Sequence, residues 1–353
     1  MDIHRSNPDL SAPYDLTGTA QTRDAAASLP IWCPFLIRVH PDVEGLNDDL
    51  AAWARDFSLI RSPEHEQQVR RADFGAFVAR VHPNARDLRL VAQWYLSAWL
   101  LDDLLDEEGI ASSKEATTLI AAELREFRVD LEPPSSLMRP IPLASACYDL
   151  WRRTAPTMSR EWRGRFLSHY RDYIASTVRD VQNYRGRAPD LGNYIRRRRI
   201  NSWGQSALDL IEVADRDEVH PDIANSDLHH SLRTAAVDVM SWTNDIFSYR
   251  REDAHANRDN LIAALKASQS LTWPEAVQTA IAMTGTETKN FIRACKDLQD
   301  AHPFYNVPPQ AWRTVTQNLN AIGHWLAGSL DWHRGSGRYR IGDATDMKSR
   351  PIA

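Results

Sequence analysis

The chain has 353 residues, 43% hydrophobic and 25% charged, and this globular composition excludes disorder over most of its length. Its 42 Lys and Arg face 47 Asp and Glu, a formal charge of −5 that argues against a nucleic-acid partner, because binding phosphates requires a basic face. No apolar run approaches the roughly 18 residues of a membrane span. The first 30 residues lack a signal-peptide core, and the three cysteines lie far apart without a CxxC spacing. We therefore predict a cytoplasmic protein.

Helical periodicity dominates the chain. Apolar residues recur in steps of three and four over residues 46–60, which predicts an amphipathic helix. Residues 88–105 are nearly all apolar until they reach a group of acids, which predicts a buried helix whose C-terminal end faces something polar. Further helices are predicted at about 143–153, 160–184, 193–213, 228–251, 260–266, 273–298 and 309–332. Alternating runs of strand-forming residues are absent, so the predicted fold class is all-α.

The chain shows no internal repeat and no linker long enough to separate two domains. We predict one large helical domain over residues 30–340. A flexible N-terminal segment, 1–29, precedes it and a flexible tail, 341–353, follows it.

Five carboxylates occupy seven positions at the end of the apolar helix. They are Asp102, Asp103, Asp106, Glu107 and Glu108. Asp102 and Asp106 are four residues apart, so both carboxylates leave one helical face, where like charges repel unless a cation lies between them. Hard oxygen ligands of this kind suit Mg²⁺. A solvated acidic helix end would explain the same string, but the aromatic residues one and two turns earlier favour the rim of an aromatic pocket.

A second group of oxygen ligands follows later in the chain. Asn244, Ser248 and Glu252 are spaced four residues apart, which aligns an amide, a hydroxyl and a carboxylate along one helical face. Three oxygen donors in line can hold a further Mg²⁺. A polar helix face would be the default for these residues alone. Opposite the acidic helix end, the two sets could clamp a diphosphate, with Arg251 supplying positive charge.

At these two motifs the sequence resembles the class I terpene synthases, specifically the bacterial terpene cyclases. Residues 102–107 look like their aspartate-rich motif, and residues 244–252 match their NDxxSxxxE motif. Arg198, which lies 46 residues before Asn244, resembles the arginine that senses diphosphate, although the run of arginines at 196–199 leaves that choice open by one position. The resemblance then makes Asn201 the linker and Ser202 the effector beside a helix break. It covers about residues 30–340.

The resemblance implies an α-helical barrel that binds three Mg²⁺ ions and a prenyl diphosphate substrate. Asp102 and Asp106 would hold two ions, with Glu107 as the alternative to Asp106. The third ion would lie on Asn244, Ser248 and Glu252, and Asp103 would pair with Arg198. Arg251 and the pair Arg338 and Tyr339, which resembles the RY pair of the family, would bind diphosphate oxygens.

The implied chemistry is metal-assisted loss of diphosphate, which leaves an allylic carbocation. Aromatic faces can stabilise such a cation in a cavity that excludes water. We expect Trp99 and Trp332, the latter resembling the closing tryptophan of the family, to line this cavity. Trp94, Tyr95 and Phe247 are weaker candidates, because most tryptophans in a protein pack in its core.

Several alternatives stay open. Farnesyl diphosphate is the expected substrate, geranylgeranyl diphosphate the second choice, which would make the chain a diterpene synthase, and geranyl diphosphate the third. A chain-elongating prenyl diphosphate synthase should carry a second DDxxD motif, which is absent here, and a class II cyclase should carry DxDD. If the chain were a helical scaffold protein, both motifs would be coincidental. A homodimer is usual for the family and is carried here as a prediction.

Overall fold

The structure is a computed structural model, and it describes residues 29–106, 118, 122, 127–130, 141–184, 190–254 and 259–336. Its helices are, in chain order, α1 (Leu46–Asp56), α2 (Pro63–Ala72), α3 (Phe74–Val81), α4 (Leu88–Asp106), α5 (Pro142–Thr154), α6 (Arg160–Tyr184), α7 (Leu191–Asn201), α8 (Gly204–Asp215), α9 (Pro221–Ala224), α10 (Asp227–Ala254), α11 (Leu261–Gln269), α12 (Trp273–Asp300) and α13 (Pro309–Gly335). No β-strand occurs in these ranges, so the predicted all-α fold is confirmed. Apart from Leu29, the two predicted flexible segments lie outside the described residues.

Six of these helices form a closed ring. Contacts run from α3 to α4, α6, α8 and α10, then to α13 and back to α3. α12 packs along the outer side of α10, which is the most extensive helix pair in the described fold. Buried aromatic and aliphatic side chains from all six ring helices belong to one hydrophobic core, so each helix is held through its apolar face.

Periodicity predicted one helix over 193–213, but the structure has two helices, with the break beside Ser202 that the resemblance implied. α7 ends at Asn201 and α8 begins at Gly204, and Trp203 between them has a φ of 60°, in the left-handed region that ends a helix. A Cβ at Gly204 would lie 3.0 Å from both methyl groups of Val237, so this glycine permits a close approach of α8 to α10. Periodicity missed the break because the apolar spacing continues across it.

Helices α2 and α3 were also missing from the sequence prediction. α2 is mostly polar, and it begins where Ser62 Oγ accepts a hydrogen bond of 3.1 Å from the His65 N–H, with Pro63 at the first helical position. α3 has only 8 residues, too few to display a helical period. It carries Phe74 and Phe77, which pack against the aromatic residues of the site described below.

The described helices include none whose length and apolarity would allow it to cross a membrane.

Candidate active site

Four helix ends meet at one end of the ring. Arg198 near the end of α7 contacts Asn244 on α10, and Asn244 contacts His333 near the end of α13. Tyr173 on α6 is close enough to both Asp102 and Arg198 for their charges to act on its hydroxyl. Burial is the main cause that raises the pKa of this hydroxyl, Asp102 raises it further, and Arg198 lowers it. The end of α4 therefore faces the same region as α7, α10 and α13.

Of the four arginines at 196–199, Arg198 is the one whose described contacts include a predicted metal ligand, Asn244. Its Nη2 donates to Asn244 Oδ1 at 3.0 Å and to Asp245 Oδ1 at 2.7 Å. Arg197 pairs with Asp259 and Arg199 with Asp238, neither of which is a predicted metal ligand. The sequence left the choice open by one position, and the geometry favours Arg198.

The expected pair between Asp103 and Arg198 is not among the described contacts and stays a prediction. Arg198 pairs with Asp245, whose side chain is only 1% exposed. Burial raises the pKa of the Asp245 carboxyl, and the negative charge of Glu252 raises it further. A buried carboxylate needs a cation and hydrogen-bond donors, and Asp245 receives both, because its Oδ2 also accepts from the Leu261 N–H at 2.9 Å. Asp103, by contrast, is half-buried.

The three predicted ligands on α10 are brought together as the helical spacing requires. Asn244 Oδ1 is oriented by Arg198, and its Nδ2 lies 3.4 Å from His333 Nε2. Since His333 Nδ1 donates to the Ser329 carbonyl at 2.7 Å, Nε2 is the acceptor, which fixes the amide orientation from both sides. Glu252 Oε2 accepts from Asn260 Nδ2 at 2.9 Å.

Ser248 gives the test of whether these residues fit a metal ion. Its side chain is 2% exposed, and its Oγ has no hydrogen-bond partner among the described residues. Buried hydroxyls are normally satisfied, so an oxygen left without a partner, between an amide oxygen and a carboxylate, fits a site for a hard cation. No three His, Cys, Asp or Glu side chains in the described ranges cluster as a metal site would; here, the set combines one carboxylate with an amide and a hydroxyl.

The acidic motif lies at the C-terminal end of α4. Asp102 is exposed there, and Asp103 is half-buried. Asp106 is the last residue of the helix, but its side chain lies outside the described part, as do Glu107 and the side chain of Arg251. Arg338 and Tyr339 also lie outside it. The predicted roles of these residues stay predictions.

Trp99 and Trp332 belong to one aromatic cluster that joins α3, α4 and α13. The rings of Trp99 and Phe74 stack with centroids 3.7 Å apart, and Trp332 stacks on Trp99 at 6.2 Å. Trp332 Nε1 donates to the Asp73 carbonyl at 3.1 Å, which fixes the ring plane. Trp94, a weaker candidate, instead donates to Thr154 at 2.9 Å and packs in the core against Phe166 and Tyr170 of α6.

Asn201 and Ser202 lie at the break between α7 and α8. Asn201 Nδ2 donates to Asp259 Oδ2 at 3.0 Å. Ser202 Oγ accepts from the Gly204 N–H at 3.2 Å and so stabilises the start of the turn. No sequence pattern indicated Asp259, Asn260 or His333. Each acts through a contact between helices that spacing along one helix does not reveal.

A polar cleft of about 540 Å³ lies at the opposite end of the ring. Arg86 just before α4 and Asp215 at the end of α8 line it, together with the first half of α13. Because α4 has 19 residues, this cleft is about 28 Å from the acids at the other end of that helix. It is therefore separate from the candidate active site.

Comparisons with known proteins agree with the fold. The model of terpene synthase family 2, C-terminal metal binding, matches residues 93–290, and the chain belongs to this family. The chain is thus similar to enzymes that make terpenes and has a domain described as metal binding.

Relatives of known activity resemble the chain over most of its length. It is 26% identical to (+)-T-muurolol synthase ((2E,6E)-farnesyl diphosphate cyclizing) of Roseiflexus castenholzii, over 87% of this chain and 92% of that protein. It is 27% identical to pentalenene synthase of Streptomyces exfoliatus, over 87% and 91%. The crystal structure of germacradien-4-ol synthase from Streptomyces citricolor superimposes with a TM-score of 0.76 at 23% identity, over 88% of this chain and 99% of that one. This last likeness supports the fold alone.

Proposed function

We propose that the protein is a Mg²⁺-dependent terpene cyclase, a carbon–oxygen lyase that ionises farnesyl diphosphate and cyclises the resulting carbocation to a terpene hydrocarbon or alcohol. The observation that carries this proposal is the buried Ser248 hydroxyl, which no described residue hydrogen-bonds and which lies between Asn244, oriented by Arg198, and Glu252. Membership of the family and the farnesyl diphosphate named for the muurolol synthase relative support it.

The chain's own residues bind and orient the diphosphate end of the substrate. Asn244, Ser248 and Glu252 would hold one Mg²⁺, and Asp102 with Asp106 or Glu107 would hold two more. Bound Mg²⁺ supplies Lewis acidity that stabilises negative charge on the leaving diphosphate. Arg198 lies within hydrogen-bond distance of Asn244 and supplies a fixed positive charge beside the leaving group.

The aromatic cluster would hold the hydrocarbon part of the substrate away from water. Phe77 makes edge contacts of 5.0 Å with both Trp99 and Trp332, and Trp332 also contacts His333, the neighbour of Asn244, with ring centroids 5.1 Å apart. Ring faces stabilise a nearby cation by about 0.5–2 kcal/mol each. The cluster is therefore suited to stabilise a carbocation after the diphosphate has left.

The substrate is tested by incubating the purified protein separately with geranyl, farnesyl and geranylgeranyl diphosphates, with and without Mg²⁺. Hexane extracts are then analysed by gas chromatography and mass spectrometry. The expected result is a cyclic C15 product from farnesyl diphosphate that forms only when Mg²⁺ is present. A C20 product would assign a diterpene synthase, and longer diphosphates formed with isopentenyl diphosphate would assign an elongating synthase. The homodimer and the cytoplasmic location stay predictions.

A further inference from the structure

Two residues outside both sequence motifs, Asp259 and Asn260, connect the predicted ligand helix to the helix that carries Arg198. They immediately precede α11, and Asn260 caps that helix: its Oδ1 accepts from the Ile262 N–H at 2.8 Å. Because Oδ1 is used in this way, Nδ2 must point to the other side of the side chain. The orientation of the Asn260 amide is therefore fixed by the fold.

Both hydrogens of Asn260 Nδ2 are used on α10. One is donated to the Asp245 carbonyl oxygen at 3.0 Å and the other to Glu252 Oε2 at 2.9 Å. Asn260 is fully buried, so water does not compete for these bonds. A buried amide held at three points is a rigid donor, and it holds the Glu252 carboxylate by one oxygen while the other oxygen stays available.

Asp259 makes the corresponding contacts with α7. Its carboxylate pairs with Arg197 Nη2 at 2.5 Å and accepts from Asn201 Nδ2 at 3.0 Å. The Arg197 and Asp259 side chains are 14% and 17% exposed, so this pair is largely shielded from solvent. Arg198 and Asn201 lie on the helix that Asp259 holds, and Arg198 in turn contacts Asn244 and Asp245 on α10.

We propose that Asn260 and Asp259 are positioning residues: Asn260 orients Glu252 for metal binding, and Asp259 fixes the Arg198 helix relative to that ligand. The inference rests on the proposed function, because it assigns Glu252 as a metal ligand. Groups that hydrogen-bond to metal ligands orient them, and their loss typically lowers metal affinity by about 10–100-fold. Neither residue touches the substrate in this account.

The test measures the binding of inorganic pyrophosphate, the probe, to the full chain by isothermal titration calorimetry at several Mg²⁺ concentrations. Asn260→Ser keeps an oxygen to cap α11 but is too short to reach Glu252. We expect it to raise the Mg²⁺ concentration for half-maximal pyrophosphate binding by about tenfold or more. Asp259→Ser should weaken pyrophosphate binding about three- to fivefold at saturating Mg²⁺, as loss of one partly shielded ion pair would.

Asn47→Ser is the matched control. Asn47 also donates from Nδ2 to a carboxylate, that of Asp73, and accepts from a backbone N–H, that of Gly75, but it lies on α1. Melting temperatures without Mg²⁺ report the structural cost of each variant.

If Asn260→Ser and Asp259→Ser bind pyrophosphate like the wild type, or if Asn47→Ser shifts the Mg²⁺ requirement as much as Asn260→Ser, the inference is wrong. If Asn260→Ser does not fold, the Asp259→Ser result decides. No Mg²⁺-dependent binding by the wild type would overturn the proposed function itself.

Discussion

Arg198 and Asp245 form an ion pair inside the protein, with Nη2 of the arginine 2.7 Å from Oδ1 of the carboxylate and 3.0 Å from Oδ1 of Asn244. One guanidinium nitrogen thus serves a structural partner and a predicted metal ligand at the same time. A diphosphate that attracts Arg198 would draw on a contact that also orients Asn244. In the proposed enzyme, the diphosphate and metal sites would therefore be coupled through a single side chain.

Removing Arg198 should reduce both stability and activity, and a second substitution should separate the two effects. Arg198→Met leaves the Asp245 carboxylate buried without its cation, so we expect the free energy of unfolding to fall by about 3 kcal/mol. Asp245→Asn on that background removes the buried charge and should restore most of the stability, measured by urea unfolding. Activity should stay about a hundredfold below the wild type in both variants. Recovery of activity along with stability would show that Arg198 has only a structural role.

Ser248→Ala should impair metal binding without destabilising the fold. The hydroxyl has no hydrogen-bond partner among the described residues, so its loss should leave stability unchanged or raise it by up to about 1 kcal/mol. The Mg²⁺ concentration for half-maximal activity should rise about tenfold or more. Ser241→Ala is the control on the same helix, because Ser241 is also buried but donates to the Val237 carbonyl at 2.8 Å. An equal Mg²⁺ response in the two variants would contradict the assignment of Ser248.

Trp332→Phe should change the products more than the fold. Phenylalanine keeps a ring but loses the bond to the Asp73 carbonyl, so the ring plane is no longer fixed. Its face also stabilises a cation less than tryptophan, by about 1 kcal/mol. We expect about fivefold slower cyclisation and a larger share of acyclic products, measured by gas chromatography. The control variant Trp312→Phe, in the first half of α13, should retain the wild-type product distribution. An equal change in its products would contradict a specific role for Trp332.

A buried charge cluster away from the site should make stability depend on pH. Burial raises the pKa of Glu212 to about 7, although Arg165 lowers it and Asp209 raises it. An acid whose pKa is raised in the folded state stabilises the fold below its unfolded pKa, near 4.5, and this contribution is lost as pH rises towards 7. The glutamine of Glu212→Gln does not ionise. As the pH rises from 4.5 to 8, the free energy of unfolding of the variant should therefore increase relative to that of the wild type, by up to about 3 kcal/mol. Urea unfolding measures this, and a constant difference would contradict it.

The long amphipathic helices were predictable because each has a regular apolar face, and α4, α10 and α12 lie close to their predicted limits. The α7–α8 break was not predictable from periodicity. It depends on the left-handed backbone at Trp203 and on the close approach of Gly204 to Val237. Both arise from packing between helices, which the spacing of apolar residues does not encode.

The candidate site was likewise predictable only in part. Asn244, Ser248 and Glu252 lie on one helix, so their spacing alone placed them together. The contact between Arg198 and Asp245 was not predicted, because the sequence does not show that Asp245 is buried next to Arg198. Asn260 and His333 were missed since their contacts cross from one helix to another.

The central claim is that Asn244 and Glu252 take part in Mg²⁺-dependent ionisation of farnesyl diphosphate. The most direct measurement compares the wild type with Asn244→Ala/Glu252→Ala, with Mg²⁺ or with EDTA, and quantifies both cyclic product and released pyrophosphate. Circular dichroism verifies that the variant is folded. The account predicts equal amounts of C15 product and pyrophosphate from the wild type with Mg²⁺, none with EDTA, and a loss of at least about a hundredfold in the folded variant. Product formation in EDTA, or at the wild-type rate by the variant, would contradict it.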